Sequence, residues 1–151
     1  MIESLVTSPK GHWVAGKPLE FSKATAGKTG VITVEPTQKF QEIRGFGASL
    51  TDASCWLFDK LSASARAKLF AELFSPAGAN LTVHRLPVGS SDYAKTAYHF
   101  APTPDDLALR DFSTAHDQKY IIPMITQAKA HNPDTFLFSS PWSPPEWMKA
   151  P

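Results

Sequence analysis

The feature that most constrains the fold is an alternation of two hydrophobic patterns along residues 38–140. Short, mostly apolar runs of strand type lie at Phe40–Ile43, Leu81–Val88 and Thr135–Ser140. Between them, apolar residues recur at helical spacing after Thr51, along 62–74 and along 119–131. Strands that are joined through helices run parallel, because a parallel pair needs a long crossover connection. The order predicts an α/β fold with a parallel sheet.

The ends of the helices carry signals of their own. Thr51 or Asp52 is suited to cap the first helix, and Ser62 the second, because a side-chain oxygen accepts from N–H groups that have no intrahelical partner. Pro123 lies near the start of the third helical segment. Proline has no N–H to donate, so we expect Pro123 in the first turn or at a kink.

Residues 1–36 differ in composition from the rest of the chain. They are rich in Gly, Ser, Thr and Lys and contain one β-branched run, Val31–Val34, before Pro36. We expect one or two strands here and no helix, with the α/β domain occupying residues 37–151. The first residues lack the basic start and apolar run of a signal peptide, and we expect a soluble chain.

Charge and cysteine content exclude several classes of partner and site. The 15 basic and 14 acidic residues leave a net charge of +1 with no run of one sign, so nothing indicates binding to nucleic acid or to an anionic membrane surface. A single cysteine, Cys55, excludes an internal disulfide and a structural zinc site. We expect Cys55 to be buried, and we expect neither a metal nor a cofactor.

Polar and aromatic side chains follow each predicted strand. In parallel α/β folds, ligands bind at the carboxyl ends of the strands. Those ends carry two carboxylates, one guanidinium and exposed-looking aromatic rings, namely Asp52, Arg85, Asp92, Tyr93, Trp142 and Trp147. Carboxylates accept from pairs of sugar hydroxyls, and an indole packs on the C–H face of a sugar ring. The pattern indicates a carbohydrate ligand.

A long polar segment separates the second strand from the third helix. Residues 89–117 form a loop of nearly thirty residues that contains Tyr93, Tyr98, Phe100 and Phe112. Loops longer than about 15 residues in compact domains are usually functional or disordered, and this aromatic content favours order. We interpret the segment as a binding loop.

Each candidate residue also has a structural interpretation. Asp52 is placed to cap a helix, and Asp92 to close an Asx-turn. Arg85 ends an apolar strand, where an unpaired guanidinium is costly, so we expect it to meet a carboxylate. Trp142 fits either the core or a sugar platform that the surrounding prolines hold still. His84 alternates onto the opposite face and is expected to be buried.

Three long stretches resemble glycoside hydrolase family 30, and within it the glucosylceramidase branch. They are "QKFQEIRGFGASLTDAS" at 38–54, "VHRLPVGSSDYAKTAYHFAPTPDDLALRDFS" at 83–113 and "SSPWSPPEWMK" at 139–149. The resemblance implies a (β/α)8 barrel joined to a β-sandwich, and retaining hydrolysis of β-glucosides such as glucosylceramide. It also implies that Asp92 and Trp142 line the glucose pocket, with Arg85 near the catalytic carboxylates.

The same resemblance implies that both catalytic glutamates lie beyond Pro151. The chain would hold the first three β/α units, whereas a complete barrel needs about 250 residues. We therefore expect part of a glucose pocket, formed by Asp52, Arg85, Asp92, Trp142 and Trp147, without a catalytic residue. Glu146 is interpreted as a loop residue.

Three alternatives stay open at this point. One is a non-catalytic carbohydrate-binding module. Another is an interaction module that associates with itself, or with the missing part of the barrel, through an open sheet edge. The third is a smaller closed domain, rebuilt from the three-stranded unit, with an unrelated role.

Overall fold

The computed structural model describes residues 2–21 and 32–149. The chain divides into two compact units, residues 1–41 and residues 42–151.

The first unit contains an antiparallel hairpin. Strands β1 (Leu5–Ser8) and β2 (Gly11–Ala15) pair with an irregularity between Val6 and Ser8. β-Branched and aromatic residues in both strands favour this extended pairing. One or two strands were expected here, but the proposed run was Val31–Val34. Val31 lies outside the described residues, and residues 32–34 form no strand, so that location is wrong for the part that is described.

The second unit contains three helices and two strands. In chain order they are α1 (Asp52–Lys60), α2 (Ala63–Phe74), β3 (Val83–Val88), α3 (Ile121–His131) and β4 (Phe136–Pro141). A short 3-10 turn follows at Glu146–Met148. Among the described residues, no helix is long and apolar enough to cross a membrane.

The predicted caps are largely confirmed. The hydroxyl of Thr51 accepts from the N–H of Ser54 at 3.3 Å, and that of Ser62 accepts from the N–H of Ala65 at 3.2 Å. Asp52 is the first residue of α1 and its cap is Thr51, so the interpretation of Asp52 as the cap is wrong. Pro123 lies in the first turn of α3, where its missing N–H is tolerated.

The parallel sheet is confirmed for β3 and β4, which pair in register from Val83 opposite Phe136 to Val88 opposite Pro141. The strand predicted at Phe40–Ile43 is wrong, because those residues are exposed and have no ladder partner among the described residues. Alternating side chains favour a strand only where another strand is present to pair with it. The chain approaches β3 a few residues later, through a single bridge between Ser49 and Arg85.

One face of the sheet is covered by the helices. The buried hydrophobic residues are Leu50, Cys55, Phe70, Phe74, Ile121, Met124 and Ala128. Phe58, Phe70, Phe74 and His84 make successive edge-to-face contacts at centroid distances of 5.1–5.3 Å. His84 is buried as expected, and its ring nitrogens contact the carbonyl oxygens of residues 48 and 81. Cys55 is also fully buried, as expected.

The long loop after β3 is ordered by its own contacts, as its aromatic content predicted. The N–H of Ser90 donates to the carbonyl of Tyr98, and the N–H of Ser113 donates to that of Phe100. The ring of Phe100 packs edge-on against Phe112 at 5.8 Å. These contacts return the loop to the end of β3 before α3 begins.

Replacement of Phe70 tests the helical core. Phe70→Ala removes the ring that lies between Phe58 and Phe74, and should lower the free energy of unfolding by about 3–5 kcal/mol. Leu107 is 84% exposed, and Leu107→Ala should change the free energy of unfolding by no more than about 0.5 kcal/mol. Denaturant unfolding followed by circular dichroism measures both. Equal losses in the two variants would contradict this assignment of the core.

Candidate functional site

Arg85 and Trp142 lie together, although Arg85 is inside β3 rather than at its end and Trp142 directly follows β4. Arg85 is opposite Phe138 in the register, so Ser140, two residues further along β4, lies on the same face of the sheet. Arg85 Nε donates to Ser140 Oγ at 2.7 Å. The guanidinium carbon lies 5.3 Å from the centroid of the Trp142 ring, within the range of a cation–π contact.

The contact between Arg85 and Trp142 bears on two expectations, a core role for Trp142 and a carboxylate partner for Arg85. Trp142 is 52% exposed, so it does not fill the core. Arg85 was expected to meet a carboxylate, and this is wrong for the described residues, in which its contacts are a serine hydroxyl and an indole. Arg85 is only partly buried, so water can solvate its guanidinium. A counter-charge is needed only where the guanidinium is fully buried.

Asp92 lies in an exposed turn just after β3. Ser91 closes this turn, because its hydroxyl accepts from the N–H of Tyr93 at 3.1 Å and its carbonyl accepts from the N–H of Ala94 at 3.1 Å. The Asx-turn interpretation of Asp92 is therefore not what the described residues show. The Asp92 carboxylate accepts no hydrogen bond from them and faces solvent.

Asp52 is the most heavily hydrogen-bonded carboxylate of the described residues. It is 3% exposed, and its Oδ2 accepts from the backbone N–H of Lys95 at 2.7 Å. Its Oδ1 accepts from the hydroxyl of Tyr120 at 2.6 Å and contacts His116 Nε2 at 2.6 Å. These contacts join the start of α1 to both ends of the long loop.

A second set of contacts strengthens the junction between α1 and the loop. The N–H of Ala53 donates to the carbonyl of Tyr93 at 3.0 Å. One turn further along α1, the Lys95 ammonium lies 4.3 Å from the centroid of the Trp56 ring. The turn that carries Asp92 is therefore held on α1 immediately after Asp92.

The charge state of Asp52 follows from these partners. Burial raises its pKa more than any single contact lowers it, but the bonds from Tyr120, Lys95 and His116 together keep the pKa below its usual value. The neighbouring Asp117 is buried with Oδ1 lacking a hydrogen-bond partner among the described residues, and burial raises its pKa. Burial raises the pKa of Cys55 to about 12, with the two aspartates adding to it. Cys55 therefore stays a protonated thiol and is not a nucleophile.

His116 and Tyr120 were missed by sequence reasoning. Within the described part of the chain no three His, Cys, Asp or Glu side chains could hold a metal ion, so the role of His116 is a hydrogen-bonding one. One feature of the sequence indicates that these two residues act together, namely their four-residue spacing near the start of a helix. That spacing puts two polar rings on one side of a helical turn, but it does not reveal that Asp52 lies opposite them.

Trp147 is placed differently from Trp142. It lies in the 3-10 turn, and its Nε1 donates to the carbonyl of Ala101 at 3.0 Å. It lines a cleft of about 450 Å³ together with Tyr98, His99 and Glu146, and neither Arg85 nor Trp142 lines that cleft. The structure thus brings Arg85 and Trp142 together and places Trp147 on another surface.

Comparison with known proteins identifies the family. Residues 43–151 match the glycosyl hydrolase family 30 TIM-barrel domain. The chain belongs to glycosyl hydrolase family 30. The resemblance drawn from the sequence is therefore confirmed, and β3 and β4 are a parallel pair in a barrel family, although the described residues form no closed barrel.

The family 30 chain is similar to both glucosylceramidases and glucanases. It is 36% identical over 141 residues to the lysosomal acid glucosylceramidase of Mus musculus, covering 89% of this chain and 27% of the relative. It is 37% identical over 137 residues to an endo-1,6-β-D-glucanase of Trichoderma harzianum, covering 87% and 28%. The crystal structure of SrfJ from Salmonella typhimurium superposes with a TM-score of 0.77 at 31% identity, covering 96% and 33%. The chain spans about a quarter of the length of these curated relatives.

Neutralising Asp52 tests its role in this family 30 chain. Asp52→Asn should lower the free energy of unfolding at pH 7 by about 1–3 kcal/mol, because three donors lose a charged acceptor. The pKa of Asp52 is lower in the folded state than in the unfolded state, so the Asp52 charge stabilises the folded protein at pH values above the usual pKa of an aspartate. This stabilisation is lost as the pH falls through the folded-state pKa. The difference between the wild type and Asp52→Asn should therefore shrink toward pH 2, as chemical denaturation at a series of pH values measures.

Two other aspartates bear on this experiment, Asp117 as a neighbouring titrating group and the exposed Asp134 as the control. The raised pKa of Asp117 has the opposite sign. Its largest cause, burial, is common to the wild type and the variant and cancels in their difference, whereas the smaller contribution from the Asp52 charge is lost in Asp52→Asn. Asp134 is exposed, and Asp134→Asn should change stability little at any pH. A wild type to Asp52→Asn difference that does not vary with pH would contradict the charged state assigned to Asp52.

Proposed function

We propose that this chain is the N-terminal part of a retaining glycoside hydrolase that acts on β-glucosides such as glucosylceramide. In this proposal it supplies part of the glucose pocket, and the two catalytic glutamates come from residues outside it. The similar proteins are named as a glucosylceramidase and an endo-1,6-β-glucanase, and both names describe β-glucosides. The shared feature is the β-linked glucose, so we propose the sugar as the part recognised here.

The observation that carries the proposal is the contact between Arg85, in β3, and Trp142, directly after the carboxyl end of the parallel strand β4. The half-exposed indole offers a flat apolar surface to the C–H face of a glucose ring. The Nε of Arg85 is engaged by Ser140, and its terminal amino groups donate to nothing among the described residues. They are available to orient a carboxylate or a sugar hydroxyl.

The carboxylates of the chain suit binding better than catalysis. Retaining hydrolysis needs two carboxyl groups about 5–5.5 Å apart, one of which must deliver a proton. Asp52 is ionised, buried and saturated by three donors, so it is poorly suited to either role. We propose that Asp52 acts through the turn that it holds, and that the exposed Asp92 in that turn accepts from glucose hydroxyls.

This proposal predicts binding without turnover. The purified 151-residue chain should not hydrolyse a fluorogenic β-glucoside, but it should bind methyl β-D-glucoside, as seen from shifts of the Trp142 indole resonance in NMR titrations. Trp142→Ala should abolish this binding because it removes the platform. Since the variant has no Trp142 indole, the Arg85 Nε–H resonance serves as the reporter and should shift in the wild type but not in the variant. Asp92→Ala should weaken it because it removes hydroxyl acceptors, on the order of tenfold in Kd for a loss near 1.4 kcal/mol.

Asp134→Ala is the matched control for Asp92→Ala, because both aspartates are exposed and Asp134 precedes the amino end of β4, opposite to the carboxyl end that Trp142 follows. It should leave the titration unchanged. Turnover by the pure chain would show that the catalytic pair lies inside it. A titration in which no indole responds would contradict the glucose pocket.

A second candidate function is association through the open edge of β4. β4 pairs with β3 alone among the described residues, and Phe136 and Phe138, on the face that carries Arg85, are exposed. An unpaired strand edge with an apolar face is a template for another strand. The partner in this proposal is the rest of the barrel or a second copy of the chain.

Light scattering tests this second function. The chain should be larger than a monomer at micromolar concentration. Phe138→Lys, which puts a charge on the exposed face of the edge strand, should shift it toward the monomer. Leu107→Lys, at an exposed loop position, is the control and should change nothing. A monomeric wild type would contradict self-association.

A further inference from the structure

The cleft beside Trp147 is a separate feature of the molecule. It has a volume of about 450 Å³, and its walls come from the loop after β3 and from the turn after β4. Its aromatic and polar lining residues are Tyr98, His99, Glu146 and Trp147, and prolines 102, 104 and 145 complete it. Small-molecule sites are concave, about 300–1,000 Å³ in volume and mostly apolar, with a few polar groups.

Trp147 is held in one orientation at this cleft. Its indole N–H is occupied by the carbonyl of Ala101. The turn that carries it is closed by two bonds at 3.0 Å, from the N–H of Met148 to the carbonyl of Pro145 and from the N–H of Lys149 to that of Glu146. Trp147 therefore has its ring surface to offer a ligand, and little conformational freedom is lost on binding.

The opposite wall is held by the buried cluster at Asp52. Tyr98 stacks on His116 at a centroid distance of 3.6 Å and an interplanar angle of 16°, and His116 in turn contacts Asp52. One face of the Tyr98 ring is thus already covered, and burial raises the pKa of its hydroxyl, so that the hydroxyl stays a donor. The cleft has one free aromatic face rather than a cage of several.

The single free indole face, the Glu146 carboxylate and the His99 imidazole together favour one class of ligand over others. A quaternary ammonium is recognised by several aromatic faces around one cation, and the cleft offers one. A phosphate or carboxylate ligand would meet the carboxylate of Glu146, which is unfavourable. A pyranose ring presents an apolar C–H face to one indole and hydroxyls to a carboxylate and an imidazole, which Trp147, Glu146 and His99 supply.

We infer that this cleft is a second carbohydrate site, in which a neutral pyranose ring packs on Trp147 and its hydroxyls bond to Glu146 and His99. The site is independent of the Arg85–Trp142 pocket and does not require the proposed glucosidase function. It suits an additional sugar unit of an oligosaccharide or glycoside.

Indole NMR with gentiobiose as the probe tests the inference. The chain has four tryptophans, and Trp147→Phe identifies the Trp147 resonance. Gentiobiose should shift that resonance in the wild type and equally in Trp142→Ala, which leaves the second site intact. Glu146→Gln should weaken this response on the order of tenfold, because a charge-assisted acceptor becomes a neutral one. Glu146 is exposed, so this variant should fold normally.

The outcomes separate the two sites. A response of Trp142 alone, or none from any indole, would overturn the second site. Loss of the Trp147 response in Trp142→Ala would show one shared site and would also overturn it. Choline is the competing probe, and a Trp147 shift with choline but not with gentiobiose would replace the carbohydrate assignment with a cation site. An unchanged affinity in Glu146→Gln would remove Glu146 from the contacts and contradict the inference as stated.

Discussion

The second unit of this protein depends on one buried carboxylate. Asp52 accepts from a backbone N–H in the long loop and from Tyr120 before α3, and it contacts His116. The loop contains no helix or strand of its own, so contacts such as these decide where it runs. A charged acceptor inside a protein is stable only when its donors are all in place. Because Asp52 is the first residue of α1, the loop can take its position only when α1 is in place.

Both proposed carbohydrate sites inherit their geometry from this cluster. On one side, the bonds to Lys95 and Tyr93 hold the turn that presents Asp92. On the other side, His116 carries the stacked ring of Tyr98, which forms a wall of the Trp147 cleft. A site built on loops needs such support from a second set of residues, because loops alone do not hold side chains to within a fraction of an ångström.

The two tryptophans after β4 show how one short segment serves two surfaces. Trp142 follows the strand directly and meets Arg85 on the face of the sheet that carries Ser140. Trp147 lies in a 3-10 turn beyond three prolines, and its N–H is bonded to the loop after β3. The cleft inferred to bind a further sugar unit thus lies only five residues along the chain from the proposed glucose platform.

The three helices, their caps at Thr51 and Ser62, the parallel pair and the family could all be predicted from the sequence, because periodicity, capping and long motifs are local properties. The folded structure was needed to show that Phe40–Ile43 is not a strand and that Arg85, within the described residues, meets Trp142 and no carboxylate. It also decided that Asp52 bonds to His116 and Tyr120, more than sixty residues away. Pairing partners and buried charges are set by residues distant in the chain, and no local pattern records which of them meet.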